Sequence, residues 1–327
     1  MSGIRWYTAR LAAKPNAAVL ARRADRAVVG SQTFGERSSS LAGYAWMSLA
    51  VLIWASWLVL TSSGRTTTLA VIDLAGFRAI IPTVVLAPLL WHHRRTIAQL
   101  GAARCLLLSA YGAPFSLLVG HGLSIAPVAH AGAVVPGLMP VFAVALAYVF
   151  LGERLSRGSF LALTLILSSA AAILLRGADE LAVHDMRLGH LLFLLGALCW
   201  ACFAVTIRAF EIPAFLGTAL VGAVSIIWLL PLWIVSDLSN IAETHWTDIA
   251  FQALFQGIIS GLISIYAFGR ALRLIGGQAP VLSALTPGVA AILAVPALGQ
   301  VPQLPDALAL GGVVIGLVIL NIGLKLP

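Results

Sequence analysis

Charge is what this sequence has least of. Only 10% of its 327 residues are Asp, Glu, Lys or Arg, while 60% are hydrophobic. A soluble domain carries about a quarter charged residues, and there is too little polar surface here to cover so much apolar chain in water. Three cysteines without framework spacing and no Asn-x-Ser/Thr sequon give no sign of a disulfide-built, glycosylated ectodomain. No glycine-rich phosphate loop, Gly-x-Ser-x-Gly elbow or His-Glu-x-x-His helix occurs, so neither hydrolase chemistry nor a nucleotide-driven engine is expected. We predict no catalytic residue, no metal ligand and no cofactor. Cys199-Trp200-Ala201-Cys202 has redox spacing, but it lies in an apolar run without thiolate-stabilising charge and reads as two small buried residues. His92-His93-Arg94-Arg95 reads as a stop cluster at a membrane surface rather than a metal site.

The net charge is +8, which raises nucleic acid as a partner, but the distribution argues against it. Seven of the 20 Lys and Arg lie in the first 41 residues, and the others punctuate apolar stretches singly or in pairs. A groove binder needs a basic face; none is present, and no nucleic acid is expected.

A spanning helix needs about 20 mostly apolar residues. Ten stretches qualify, at 42–61, 69–91, 104–123, 127–151, 157–175, 188–207, 213–235, 248–268, 278–298 and 306–325. With the termini on one side, that side collects 16 basic residues and the opposite side Arg65, Arg176 and Arg187. Cytoplasmic loops carry the excess of Lys and Arg, so both termini are expected in the cytoplasm, with the bilayer itself as a partner. Residues 1–41 are expected to form a basic tail lying on the anionic leaflet, with an organelle transit peptide as the alternative reading.

The second half of the chain repeats the first. Gly43 and Trp54-Ala55 correspond to Gly189 and Trp200-Ala201, and Gly112, Gly120 and Leu123 to Gly261, Gly269 and Leu272. Pro140 to Gly152 aligns without gaps to Pro287 to Gly299, with six of thirteen positions identical. Five spans are thus duplicated, in repeats at 42–180 and 181–327. Five is odd, so the second copy enters the membrane from the opposite side. The expected fold class is an all-α membrane protein whose ten transmembrane helices form two inverted five-helix repeats around a central cavity. Many secondary transporters use such symmetry for alternating access to a midplane site.

The Gly…Trp-Ala opening of each half, Phe77-Arg78 in the second span and Pro140…Leu151-Gly152-Glu153-Arg154-Leu155-Ser156 resemble the drug/metabolite transporter superfamily, and within it the EamA-type ten-helix exporters. The second half departs from that pattern at Gln300, where the motif has Glu. The resemblance implies export of amino acids, related metabolites or drugs, with exporters of aromatic amino acids the closer likeness, from a bacterial inner (plasma) membrane and as a monomer by default.

Candidate site residues follow from depth and polarity. Ionisable residues inside spans are functional candidates. Asp73 and Arg78 lie about 140° apart around one helix, suited to holding a zwitterion between them. The alternatives are that Arg78 binds neighbouring carbonyls and Asp73 caps its helix. His121 and His130 flank one short loop and make protons a candidate coupling ion. Trp54, Trp57, Tyr111, Trp200 and Tyr266 offer rings at depth, whereas Trp46, Trp91, Trp228, Trp233 and Trp246 read as interfacial belt anchors. Ser56, Gln256, Ser260, Ser264, Ser283 and Thr286 are small polar groups at depth, open both to substrate binding and to plain helix-to-helix bonding. Pro136, Gly137 and Pro140 in the fourth span, and Pro287 and Gly288 in the ninth, are expected to kink their helices and act as hinges.

The expected function is a secondary transporter exporting a small amphiphilic substrate, with aromatic or apolar amino acids foremost. An uncoupled facilitator or channel and a cationic multidrug exporter of the same fold are the rivals. An intramembrane enzyme lacks a nucleophile and base at matching depth.

Overall fold

The computed structural model describes residues 34–62, 64, 66–109, 111–152, 157–176 and 183–323. The chain divides into two units, Met1–Ala42 and Gly43–Pro327. Of the first, only Phe34–Ala42 is described, as helix. Most of the basic tail and the Glu153–Ser156 stretch of the motif lie outside the described residues.

Among the described residues of the second unit, the secondary-structure elements are all helices. Among the described residues, nine stretches are long and apolar enough to cross a membrane. The fourth (Val128–Leu151), fifth (Arg157–Arg176), sixth (Val183–Ala209), seventh (Ala214–Val235) and tenth (Leu304–Gly323) spans are single helices, and the first belongs to Phe34–Leu60. The stretch expected as one second span at 69–91 is instead two helices, Val71–Val85 and Ala87–His92. Pro82 within the first and Pro88 at the start of the second explain the break. Each removes an amide donor, and a proline ring favours a new helix start over continuation.

Other spans carry interruptions at their small residues. The third consists of Ala102–Ser109 and Ala113–Ile125, with Gly112 between them. A Cβ at Gly112 would collide with the Ser225 Oγ of the seventh span, so only glycine permits this approach. The eighth runs from Trp246 to Ile275, with a π-helical stretch at Leu254–Ile263. The ninth breaks between Gln278–Ser283 and Thr286–Leu298, just ahead of Pro287. Its counterpart, the fourth, passes through Pro136 and Pro140 without interruption. The same proline thus opens a new helix in one half and is absorbed in the other.

The duplication is visible in the packing. The second span packs on the seventh, the fourth on the ninth and the fifth on the tenth, each against its own counterpart. The sixth packs on the third and fourth, as the first does on the eighth and ninth through Met47, Ala50 and Val51 against Ala267, Ala271 and Ala279. Matching glycines make matching contacts. A Cβ at Gly43 would lie 2.9 Å from Leu274 Cβ and closer still to Ile275; one at Gly189 would lie 2.7 Å from Ala126 Cβ and 3.2 Å from Ile125. Leu274 and Ile275 are the repeat partners of Ile125 and Ala126. Gly152 and Gly299 likewise end their helices left-handed, with φ of 66° and 67°. Gln300, which replaces the motif's glutamate, accepts the Val128 backbone N–H at 2.9 Å and so caps the fourth span.

Phe193, Leu123, Val134, Ile166 and Val313 are at the centre of the largest core cluster. Large apolar side chains such as Phe160, Ile227, Ile234 and Ile292 are exposed on the outside, the surface expected of a protein solvated by lipid.

Candidate functional site

Ten spans meet around a central cavity of about 670 Å³, to which each contributes lining. Ring systems dominate the wall: Trp54, Trp57, Tyr111, Phe115, Trp200, Phe203 and Phe268 all face it. Four of them form a ladder. Trp57 stacks on Phe115 at 5.4 Å, Phe115 on Tyr111 at 5.1 Å and Tyr111 on Phe203 at 4.4 Å. Trp200 meets Tyr111 edge-on at 6.4 Å. Spans one, three and six are thereby joined by π-faces, which offer a planar apolar ligand the offset and edge-to-face contacts it prefers.

The foot of the ladder is held by amides. Trp57 donates its indole Nε1–H to Gln256 Oε1 at 2.9 Å. Gln256 Nε2 in turn donates to Thr61 Oγ1 at 3.2 Å and to Gln252 Oε1 at 3.3 Å, and Gln252 donates to the Leu60 carbonyl. Gln252 and Gln256 are almost wholly buried. Both belong to the eighth span, Gln256 within its π-helical stretch. Wide turns of this kind are frequent at functional sites.

Arg78 supplies the charge. Its guanidinium donates to Ser260 Oγ at 2.6 Å and lies 4.8 Å from the centre of the Trp57 ring. Arg208, at the end of the sixth span, also lines the cavity. Among the described lining residues there is no Asp or Glu. A guanidinium has five N–H donors, of which the Ser260 hydroxyl takes one.

The expected pairing of Asp73 with Arg78 around a zwitterion is not built. Asp73 is fully buried and away from the cavity wall. One carboxylate oxygen accepts from Trp233 Nε1 at 2.7 Å and Ser239 Oγ at 2.6 Å; the other accepts from the backbone N–H groups of Ala70 at 2.9 Å and Asn240 at 3.0 Å. The carboxylate caps the second span and ties it to the seventh and the segment after it. Trp233 accordingly has a specific polar partner, beyond the belt role expected of it.

Trp54, Trp57, Arg78, Tyr111, Trp200, Ser260, Ser283, Pro136 and Pro140 line the cavity. Gln256 stands behind the wall, orienting Trp57. His130 is elsewhere, with its Nδ1 3.0 Å from His190 Nε2. Gly137 packs on Val313, and Gly132 closely approaches the backbone of Pro287, where the fourth and ninth spans cross. Pro287, Gly288 and Gly137 are off the cavity wall. Sequence reasoning passed over Phe115, Phe203, Phe268, Arg208, Thr218 and Asn321. Trp200, Phe203 and Ile207 follow helical spacing along one face, a signal that could have found Phe203.

A family model described as the EamA-like transporter family matches residues 41–175 and again residues 187–322. No curated protein matches the chain. A solved structure titled only "Crystal structure of protein" is 18% identical, with a TM-score of 0.54, over 88% of this chain and 97% of that one. At that identity the likeness concerns the fold alone.

Proposed function

The chain belongs to the EamA-like transporter family, and from that premise we propose that it exports small amphiphiles bearing a carboxylate and an aromatic or apolar body, aromatic amino acids foremost. The observation that carries this reading is Arg78, a cation in an aromatic cavity that has no acidic residue among its described lining. A guanidinium matches a carboxylate in a bidentate fork, and the ladder of rings receives the body. Pro136 and Pro140, inside the fourth span on the cavity wall, leave the carbonyls one turn before them without the amide they lack. Those carbonyls, with Ser283 and Asn321, can accept from an amino group. Alternating access between the two repeats delivers the substrate outward from a bacterial inner membrane, with both termini cytoplasmic and the protein acting as a monomer.

A second reading is favoured by the position of Asp73. With that carboxylate committed to four donors, an ammonium group has no acidic partner among the described lining residues of the cavity. Aromatic carboxylic acids without an amine would meet the same cation at lower desolvation cost. The same charge balance opposes cationic drugs.

Counterflow in proteoliposomes with radiolabelled phenylalanine, 3-phenylpropionate and tetraphenylphosphonium separates these. Movement of either carboxylate, and its loss in Arg78→Gln, supports the proposal. Movement of the phosphonium alone would overturn it, as would full carboxylate transport by Arg78→Gln. An imposed pH gradient tells a coupled carrier from a facilitator.

A further inference from the structure

Away from the cavity, three ionisable side chains from three spans meet inside the protein. His130 begins the fourth span, His190 lies near the beginning of the sixth and Asp306 near the beginning of the tenth. All three are buried. His130 Nδ1 is 3.0 Å from His190 Nε2, and His130 Nε2 is 3.5 Å from Asp306 Oδ1. None of the three lines the central cavity. The closeness is unforeseen by the sequence, where the three stand 60 and more residues apart.

Hydrogen counting in this chain of groups is constrained. In the short contact between the two imidazoles, one nitrogen must donate and the other accept. With both rings neutral, His130 turns its Nε2–H to the carboxylate and accepts from His190. The cluster then holds one buried negative charge. Adding one proton makes His130 an imidazolium that donates to Asp306 on one side and to His190 on the other, with His190 shifting its own proton from Nε2 to Nδ1 so that Nε2 can accept. The cluster becomes neutral overall, and both contacts become charge-assisted. Buried ionisable residues in membrane helices are costly unless they are paired in this way, and they mark proton sites.

We propose that His130, His190 and Asp306 bind one proton as a unit, and that this proton fastens the ends of the fourth, sixth and tenth spans to each other. On the orientation derived from the basic loops, this is the external end. Gly132, two residues beyond His130, sits where the fourth span crosses the ninth at Pro287, so a latch on His130 acts at the contact between the two repeats. Loss of the proton removes the imidazolium charge from both His130 contacts and loosens that end.

His121, at the end of the third span, is exposed and turns Nδ1 to its own Leu117 carbonyl at 2.8 Å. Arg187, one turn before His190, is exposed. The ninth span from Thr286 to Leu298 has no ionisable residue; the fifth ends in Arg176 on this side, and the sixth carries His184 and Asp185 in its first turn, more than one turn before His190. His190 Nδ1 is buried beside the Leu174 carbonyl of the fifth span, where it can carry the ring's proton while Nε2 accepts from His130.

Opening of one end presupposes the alternating-access transport proposed above, yet spin-label distances report it with no substrate present. Failure of the substrate assignment and failure of the proton site therefore remain distinct. Labels at Leu188→Cys and Val301→Cys, both exposed positions, are placed on the full chain with Cys105, Cys199 and Cys202 replaced by alanine. Distances are read in nanodiscs at about pH 5.5 and about pH 8, either side of the ordinary imidazole value near 6.5. The expected result is a shift toward shorter distances at the lower pH, lost in His130→Gln and Asp306→Asn. His190→Gln is the second variant, used where Asp306→Asn does not yield folded protein. A wild-type distribution that does not change with pH overturns the proposal. So does a pH shift that persists undiminished in the folded variants.

Discussion

Arg78 and Trp57 come from different spans, and the guanidinium of one lies 4.8 Å from the ring centre of the other. A cation over an indole face is held by about 1–2 kcal/mol when partly desolvated. The contact also fixes which way the remaining donors point. Trp57→Phe keeps a π-face but gives up indole area and the Nε1 donor. We expect it to raise KM for phenylalanine counterflow by about tenfold, the equivalent of about 1.4 kcal/mol, with the maximal rate changed less. Trp57→Ala should lose transport outright. Concentration series of counterflow in proteoliposomes check both.

Gln256 acts on the same site without touching it. In Gln256→Leu the Trp57 Nε1–H and the Thr61 hydroxyl lose a partner inside the protein, and an unpaired buried polar group costs about 1–3 kcal/mol. The expected outcome is a lower thermal midpoint together with a raised KM. The effect of Gln256→Leu on KM should largely vanish in the Trp57→Phe background, since phenylalanine has no Nε1–H to position. A double-mutant cycle measures that coupling directly. Independent effects would mean that Gln256 stabilises the eighth span and nothing more.

The second span illustrates what the sequence could and could not disclose. Its apolar content is plain, and so is Arg78 within it. But 69–91 reads as one helix unless the spacing of Pro82 and Pro88 is taken as two separate instructions. The repeat was legible because glycines at crossings and the Pro140 and Pro287 segments are constrained by backbone geometry, which few residue types satisfy. The facing of Asp73 was not legible. A helix apolar on all sides has no polar face to set its rotation, so the partners that claim a lone carboxylate come from elsewhere in the chain. Trp233, Ser239 and Asn240 are some 160 residues away. The meeting of His130, His190 and Asp306 is hidden for the same reason. The wall of the cavity was half legible: tryptophans and Tyr111 stand out by rarity in the membrane, whereas Phe115, Phe203 and Phe268 look like any lipid-facing phenylalanine.

The two glycine caps allow the equivalence of the halves to be weighed. Gly152 and Gly299 share a left-handed conformation, and an added Cβ at either meets nothing within 4 Å. Substitution by alanine is therefore a test of backbone strain alone, costing about 1–2 kcal/mol for a left-handed non-glycine residue. Gly152→Ala and Gly299→Ala should lower the thermal midpoint in detergent by matching amounts and leave phenylalanine KM alone. Gly222→Ala is the contrast. Its Cβ would come within 2.8 Å of the Ala79 carbonyl oxygen and collide with Thr83 Oγ1, so this crossing of the second and seventh spans should separate, with a far larger loss of folded yield.

Asp73 provides the sharpest division between a binding carboxylate and a structural one. Were it to hold a substrate ammonium, Asp73→Asn would raise KM for amino acids and spare carboxylic acids that lack the amine. The geometry instead predicts a uniform effect. Asn keeps one acceptor oxygen but replaces the other with an NH₂ group, which would face either the Trp233 and Ser239 donors or the backbone amides of Ala70 and Asn240. Hydrogen bonds to a charged acceptor are worth about 1.5–3 kcal/mol apiece, so the loss of two, with donors now opposed, should cost at least about 3 kcal/mol of stability. Asp73→Ala, which strands all four donors, should be worse still. The expected pattern is a lowered thermal midpoint and reduced yield, with KM unchanged for phenylalanine and 3-phenylpropionate in the protein that remains folded. A KM rise confined to the amino acid would return Asp73 to the binding site and require the second span to rotate during transport.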